Sequence, residues 1–275
     1  MKRILLALLA CVMAAFGCVA SSGDMERVEG MLRAHSSDTP SARISSIARE
    51  FLGAQYVGAT LEGATEQLRF SLSEFDCTTF VETVIAMALT VADGGSAEEF
   101  IRNLESVRYR AGHIDGYCSR LHYISDWAME NEARGHLADV THTIPGAVSQ
   151  TLELNYMSVH RQSYPALADD GVFACIQGME RSVSPITYML VPKHKAGLRN
   201  VGEALRDGDI VAFATSTPGL DVSHIGIVLK GPDGTPRLLH ASSAAGKVII
   251  DPKPLAMYVR SRPSLTGMRI FRVVD

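Results

Sequence analysis

The stretch Asp76-Cys77-Thr78-Thr79-Phe80-Val81-Glu82-Thr83-Val84-Ile85 decides how this chain is read. From Cys77 to Val91 apolar residues recur at helical spacing. Phe80, Val81, Val84, Ile85, Ala88 and Leu89 hold the repeating positions, and Asp93-Gly94-Gly95 ends the run. The flanks are also rich in apolar residues, so the pattern predicts a helix buried against a sheet. Cys77 stands in its first turn. The partial positive charge of a helix N-terminus favours thiolate over thiol, and the unpaired N–H groups there can receive an oxyanion. A cysteine that serves only as a small core residue belongs among the apolar positions further along. Cys77 is therefore the candidate nucleophile.

Upstream of this helix, Asp24 to His35 and Ser41 to Leu52 read as helices, and Glu66 to Leu72 alternates like a short strand. Downstream, residues 97–107 and 121–134 read as two more helices. Beyond about 138 strand signals dominate: Val140 to Ile144, Thr187 to Val191, Asp209 to Ala214, Ser223 to Lys230, Arg237 to Ala241, Lys247 to Asp251 and Met268 to Val274. Gly231-Pro232-Asp233-Gly234 reads as a hairpin turn. Helices followed by adjacent strands predict an α+β fold with an antiparallel sheet, and no linker separates two domains.

A base for the thiol lies in Ser223-His224-Ile225-Gly226-Ile227-Val228, where a histidine opens an apolar strand. Gly226 permits close approach of another backbone or of substrate. Past the turn comes Leu239-His240-Ala241-Ser242. In an antiparallel hairpin His224 and His240 can face each other, so His240 is placed to orient the ring of His224. Either histidine alone reads as structural; with a helix-opening cysteine the two read as a catalytic set.

The chain has 275 residues, 47% hydrophobic and 20% charged, with a formal net charge of −4. An acidic chain without clustered Lys and Arg is a poor nucleic-acid binder. At the N-terminus Lys2 and Arg3 precede the apolar run Ile4 to Phe16, and Gly17-Cys18-Val19-Ala20-Ser21 follows. This reads as a secretory signal over residues 1–20. Cleavage after Ala20 releases a soluble protein, whereas cleavage before Cys18 leaves a lipid-modified cysteine on a membrane. Both outcomes place the protein in the periplasm or outer cell envelope. Two of the five cysteines, Cys11 and Cys18, lie in the signal. Cys77, Cys118 and Cys175 make an odd set, which leaves at least one free thiol. Cys118 and Cys175 read as buried or paired. His113, Cys118, His122, His136 and His142 match no tight zinc spacing, so no metal is expected.

Five blocks follow one another in order: Leu52-Gly53-Ala54-Gln55-Tyr56, Asp76-Cys77-Thr78, Asp207-Gly208-Asp209-Ile210-Val211-Ala212-Phe213, His224-Ile225-Gly226-Ile227 and His240-Ala241-Ser242. Together they resemble the NlpC-type papain-like cell-wall cysteine peptidases. The intervening sequence includes Tyr109-Arg110-Ala111-Gly112 and Ser119-Arg120-Leu121-His122-Tyr123-Ile124-Ser125-Asp126-Trp127. It resembles the exported N-acetylmuramoyl-L-alanine amidase-like branch of that superfamily. The resemblance implies one cysteine amidase or peptidase domain over residues 21–275, with a papain-like core and a large insertion at about 94–205. It implies hydrolysis of amide bonds in peptidoglycan stem peptides, without a cofactor. Cys77 is then the nucleophile, His224 the base and His240 the orienting group. Tyr56 matches a family tyrosine beside the thiol, and Asp76 matches a carboxylate that helps bind the peptide. Thr78 stands where the family usually has Ser.

Within the insertion, Arg120, His122, Tyr123, Asp126 and Trp127 mix charge with the chain's one tryptophan. Aromatic residues at helical spacing are commonly core. An insertion beside a catalytic groove is also a place to build a specificity wall, so these five are expected to touch substrate. Two further readings stand beside the peptidoglycan amidase. One is an acyltransferase or a lipid amidase or esterase on the same fold. The other is a non-catalytic cell-wall-binding lipoprotein.

Overall fold

The computed structural model describes residues 18–274, so Lys2 to Phe16 of the expected signal lie outside the described residues. In chain order the elements are α1 (Ser22–Ala34), α2 (Pro40–Arg49), β1 (Gln55–Tyr56), β2 (Glu74–Phe75), α3 (Cys77–Ala92), α4 (Ala97–Arg108), α5 (Ile124–Ala133), β3 (Leu137–Asp139), β4 (Val148–Leu152), α6 (Tyr156–Val159), α7 (Asp170–Val183), β5 (Ile186–Pro192), α8 (Arg199–Ala204), β6 (Ile210–Thr215), β7 (Val222–Lys230), β8 (Pro236–Ser242), β9 (Lys247–Pro254), α9 (Leu255–Arg260) and β10 (Leu265–Val273). The strands form one sheet in the order β2-β1-β9-β8-β7-β6-β10-β5-β4, with β3 added on β10. Every pairing is antiparallel except β1 with β2. The α+β class and the antiparallel sheet read from the sequence are those of the structure.

The sheet separates two cores. On one face Phe80, Val81, Val84 and Ile85 of α3 pack with Ile225 and Ile227 of β7 and Leu239 and Ala241 of β8. On the other, Val211 and Phe213 of β6, Val228 of β7 and Leu238 of β8 bury against Leu255, Tyr258 and Val259 of α9. Alternation of β7 and β8 across these faces is the period-two pattern of strands buried on both sides. Burying such side chains contributes roughly 1.5–3 kcal/mol each, which makes α3 and its strands a rigid base for whatever their ends carry.

Residues 94–205 build much of the far half of the molecule. β5 pairs with β10 and β4 with β5, so this segment extends the sheet on the side away from β8 and β9. Tyr123, Leu154, Met157, Ile176, Ile186 and Leu190 form a third cluster there. A disulfide joins Cys118 to Cys175 across 57 residues. It ties the turn before α5 to α7.

Three local expectations are corrected. Residues 66–72 form no strand; only Arg69 bridges to Val19. Val140 to Ile144 is not a strand but a single 3₁₀ turn, Thr141–Thr143, with the strand earlier at β3. The Thr141 hydroxyl accepts from the N–H of Ile270 at 2.8 Å, so a side chain does what a strand backbone would have done. α7 arises beyond residue 138, in the part read as dominated by strands, in a stretch given no element of its own. Asp169 caps it by accepting from Val172 N–H at 2.9 Å, and Ile176 and Met179 give it a buried face.

Candidate active site

Asp76 starts α3 as its N-cap. Its Oδ1 accepts from the N–H groups of Thr78 at 3.0 Å and Thr79 at 2.8 Å, while Thr79 Oγ1 accepts from Asp76 N–H at 3.0 Å. This reciprocal capping box locks the first turn. It also corrects one expectation and narrows another. The Thr78 and Thr79 N–H groups are taken and cannot receive an oxyanion. Asp76, read as a peptide-binding carboxylate, spends one oxygen on the helix. The Cys77 N–H has no acceptor on another of the described residues, and neither has the Tyr56 hydroxyl.

Cys77 faces the start of β7, where the Ile225 N–H points at its sulfur; Thr78 Oγ1 lies 4.0 Å from that sulfur. Burial, reinforced by the Asp76 charge, pushes the thiol up to about 11. Desolvation thus opposes the thiolate that the dipole of α3 favours. Tyr56, from β1, lies close enough that the Cys77 and Asp76 charges add to burial in raising its phenol.

The two histidines meet on the face that carries Phe213 and Tyr258. His224 Nε2 and His240 Nδ1 are 2.7 Å apart. They are not the directly opposed pair the sequence suggested. The register pairs Ile227 with Leu239, so His240 falls opposite Gly226 and His224 meets it diagonally. Gly226 makes this approach possible: a β-carbon there would sit 2.9 Å from the Leu239 carbonyl oxygen and 3.0 Å from His240 Cβ. The ring of Phe213 stacks on His224 at 5.9 Å between centroids, and Tyr258 stands 5.4 Å from His240. Burial and the neighbouring His240 push His224 down to about 3. His240 falls to about 4, through burial against the opposing pull of Asp251. Both rings are neutral at physiological pH. No hydrogen bond joins Cys77 Sγ to His224, whose Nδ1 has no partner among the described residues. His240 Nε2 is buried without a hydrogen bond, and its nearest acceptor is Asp251 Oδ2 at 3.9 Å.

Sequence reasoning missed Tyr258, Asp251 and Arg262, all close to the histidine pair. Asp251 lies within β9 after the apolar run Val248-Ile249-Ile250 and Tyr258 lies in a short helix, and neither has a motif around it.

The insertion residues are placed differently from expectation. Arg120 is 8% exposed and spans Glu62 at 2.8 Å and Glu66 at 2.7 Å. The His122 Nε2 lies 2.9 Å from the Tyr117 carbonyl oxygen. Tyr123 donates its hydroxyl to Glu180 at 2.6 Å. Asp126 is buried against Arg110, and Trp127 packs edge-on to Phe271 at 6.1 Å. These side chains are consumed by internal partners, because residues bridging α4 to the sheet must satisfy each other where water is excluded. The reading of them as substrate contacts is corrected. Among the described residues no three His, Cys, Asp or Glu converge on a metal position. A cavity of about 620 Å³ lined by Arg43, Asp207, Asp209 and Arg272 lies at the Ala88–Ala92 end of α3, remote from Cys77.

Fold and site together define a mixed α+β protein with a half-buried thiol at a helix start and a hydrogen-bonded histidine pair on the strands that helix packs against. The model of the N-acetylmuramoyl-L-alanine amidase-like family matches residues 46–268, and the chain belongs to that family. A crystal structure of an N-acetylmuramoyl-L-alanine amidase from Bacteroides uniformis ATCC 8492 is similar, at 40% identity and a TM-score of 0.78 over 84% of this chain and 99% of that one. A Bacteroides fragilis protein provisionally described as a xylanase is 42% identical, with a TM-score of 0.76 over 82% of this chain and 99% of its own. A protein from Legionella pneumophila str. Philadelphia 1 shares the fold at 22% identity, with a TM-score of 0.72 over 91% and 94% of the two chains. No curated protein matches the chain.

Proposed function

We propose that this protein is an exported cysteine amidase that hydrolyses amide bonds of peptidoglycan stem peptides, on a papain-like NlpC-type core. The observation that carries the reading is the half-buried Cys77 at the start of α3, its sulfur met by the N–H of Ile225, the residue after His224, together with the linked pair His224 and His240. Family membership supports an amidase, and the Cys118–Cys175 disulfide supports an oxidising compartment such as the periplasm or outer envelope. The Gly17-Cys18 junction leaves either a soluble or a lipid-anchored form.

One tautomer set serves the chemistry. His224 Nε2–H donates to His240 Nδ1, His240 Nε2–H is directed at Asp251, and His224 Nδ1 is left to accept the thiol proton. Thiol and imidazole start neutral. As sulfur attacks the amide carbonyl, Cys77 gives its proton to His224, and the oxyanion is met by the Cys77 N–H and the Tyr56 hydroxyl. His224 then protonates the leaving amine, the C–N bond breaks and a thioester remains. Water, deprotonated by His224, attacks the thioester; the acid leaves and the thiol is restored. The gap between sulfur and ring closes on substrate binding, as apo catalytic pairs commonly do.

A glycosidase, suggested by the Bacteroides fragilis relative, requires two carboxyl groups flanking one bond. Here Asp76 caps a helix and Asp251 lies under His240. The amidase reading is tested by incubating the protein with muropeptides and resolving products by mass spectrometry. Release of stem peptide by wild type and its loss in Cys77→Ser are expected. Full turnover by that variant overturns the reading.

A further inference from the structure

Arg262 follows α9 on the turn that leads into β10. Its backbone is braced: the carbonyl accepts from Leu265 N–H at 3.2 Å and from Lys193 Nζ. The guanidinium carbon lies 3.3 Å from the centroid of the Tyr258 ring, and Nη1 donates to the Tyr258 carbonyl oxygen at 3.1 Å. Tyr258 is the ring that stands 5.4 Å from His240 and 6.2 Å from His224. Among the described residues no carboxylate pairs with Arg262, and its Nε and Nη2 have no acceptor. Asp251 faces His240, with Oδ2 3.9 Å from Nε2, and is not paired with Arg262. The Nε/Nη2 edge is the fork that takes a carboxylate with two parallel hydrogen bonds.

We propose that Arg262, stacked on Tyr258 beside the histidine pair, is the substrate-carboxylate receptor of this site. It would bind a free carboxylate of an anionic stem peptide next to the scissile amide. This rests on the amidase reading above and assigns to Arg262 the anion-binding part that Arg120, paired internally, does not play. Several observations support it. The side chain is held rigid by the ring and the Tyr258 carbonyl, so little rotamer freedom is lost on binding. Its charge reaches both rings, since Arg262 contributes to lowering His224 and His240. A carboxylate seated on it would cancel that influence, so a correctly charged substrate would make His224 a stronger base as it binds.

Two measurements test this. In the first, Cys77 of the full protein is alkylated with iodoacetate (anionic) or iodoacetamide (neutral) at low salt, and the modified peptide is quantified. Because any change in thiol or imidazole basicity acts on both reagents, the ratio of rates reports attraction of the anion alone. We expect Arg262→Gln to lower the iodoacetate-to-iodoacetamide ratio about fivefold or more, with Arg262→Lys between it and wild type. In the second, kcat/KM is compared for a muropeptide with free carboxylates and its amidated counterpart. Wild type should prefer the free acid by about ten- to a hundredfold, and Arg262→Gln should lose most of that preference. An unchanged alkylation ratio overturns the inference even where wild type hydrolyses muropeptides. Equal losses on both substrates also overturn it, because Arg262 would then act only through the histidines. If wild type cleaves no muropeptide while the ratio still depends on Arg262, the amidase reading fails and the anion site stands.

Discussion

At Cys77 two effects oppose each other. The α3 dipole stabilises a thiolate, while burial and the Asp76 charge favour the thiol, and the balance lies near 11. The folded protein thus holds a neutral thiol below that pH. Alkylation of Cys77 by iodoacetamide should rise about tenfold per pH unit between about 7 and 10, because only the thiolate reacts. A rate already flat near pH 6 would instead reveal a preformed thiolate–imidazolium pair and sink the neutral-pair mechanism. The second residue-scale prediction concerns Asp251. His240 Nε2 is buried without a hydrogen bond, and the Asp251 carboxylate at 3.9 Å is the charge that faces it. Asp251→Asn keeps the size and can still accept from Lys253 N–H, but it loses the charge facing His240. It should lower kcat by about tenfold or more with KM nearly unchanged. An unaltered kcat would remove Asp251 from the site.

Among the elements, the pairing of β7 with β8 sets the histidine geometry. Gly226 lets the strands close so that rings two residues out of register can meet. In Gly226→Ala the added methyl would strike backbone, which cannot rotate away. The strands must part locally at a cost of about 1–3 kcal/mol. Activity should fall much further than stability, since His224 and His240 lose their 2.7 Å contact. Urea melts and kcat/KM measured on the same preparation check this; a variant with wild-type turnover would show that the diagonal contact is dispensable. Little of this was legible beforehand. The alternation around His224 and His240 gave both strands, but the exact pairing register depends on hairpin geometry that alternation alone does not specify. α7 was hidden because its buried stripe, Ile176, Met179 and Glu180, is short and Gly171 and Gly178 interrupt the run.

On the scale of the whole molecule, the ion pairs of Arg120 join the loop at Glu62 and Glu66 to the start of α5. Removing Arg120 leaves the Glu66 carboxylate, 5% exposed, without its cation. Breaking a buried pair of this kind costs about 3–5 kcal/mol, or a Tm lower by roughly 10 °C for a chain of this size. Arg120→Ala should therefore melt early, and adding Glu66→Gln should recover part of the loss. If the single variant melted like wild type while losing turnover selectively, Arg120 would be a substrate contact after all.

From sequence alone came the buried α3 with Cys77 at its start, the α+β class, the two histidine strands and the free thiol implied by an odd cysteine set. These are local properties: apolar spacing, helix-start chemistry and strand alternation are written in neighbouring residues. The tertiary structure decided what depends on distant residues. It determined that burial opposes the helix dipole at Cys77, that Arg120 to Trp127 turn inward, and that Asp251, Tyr258 and Arg262 gather around His224 and His240. Desolvation and charge pairing act through space, between groups far apart in the chain, so no reading of adjacent residues contains them.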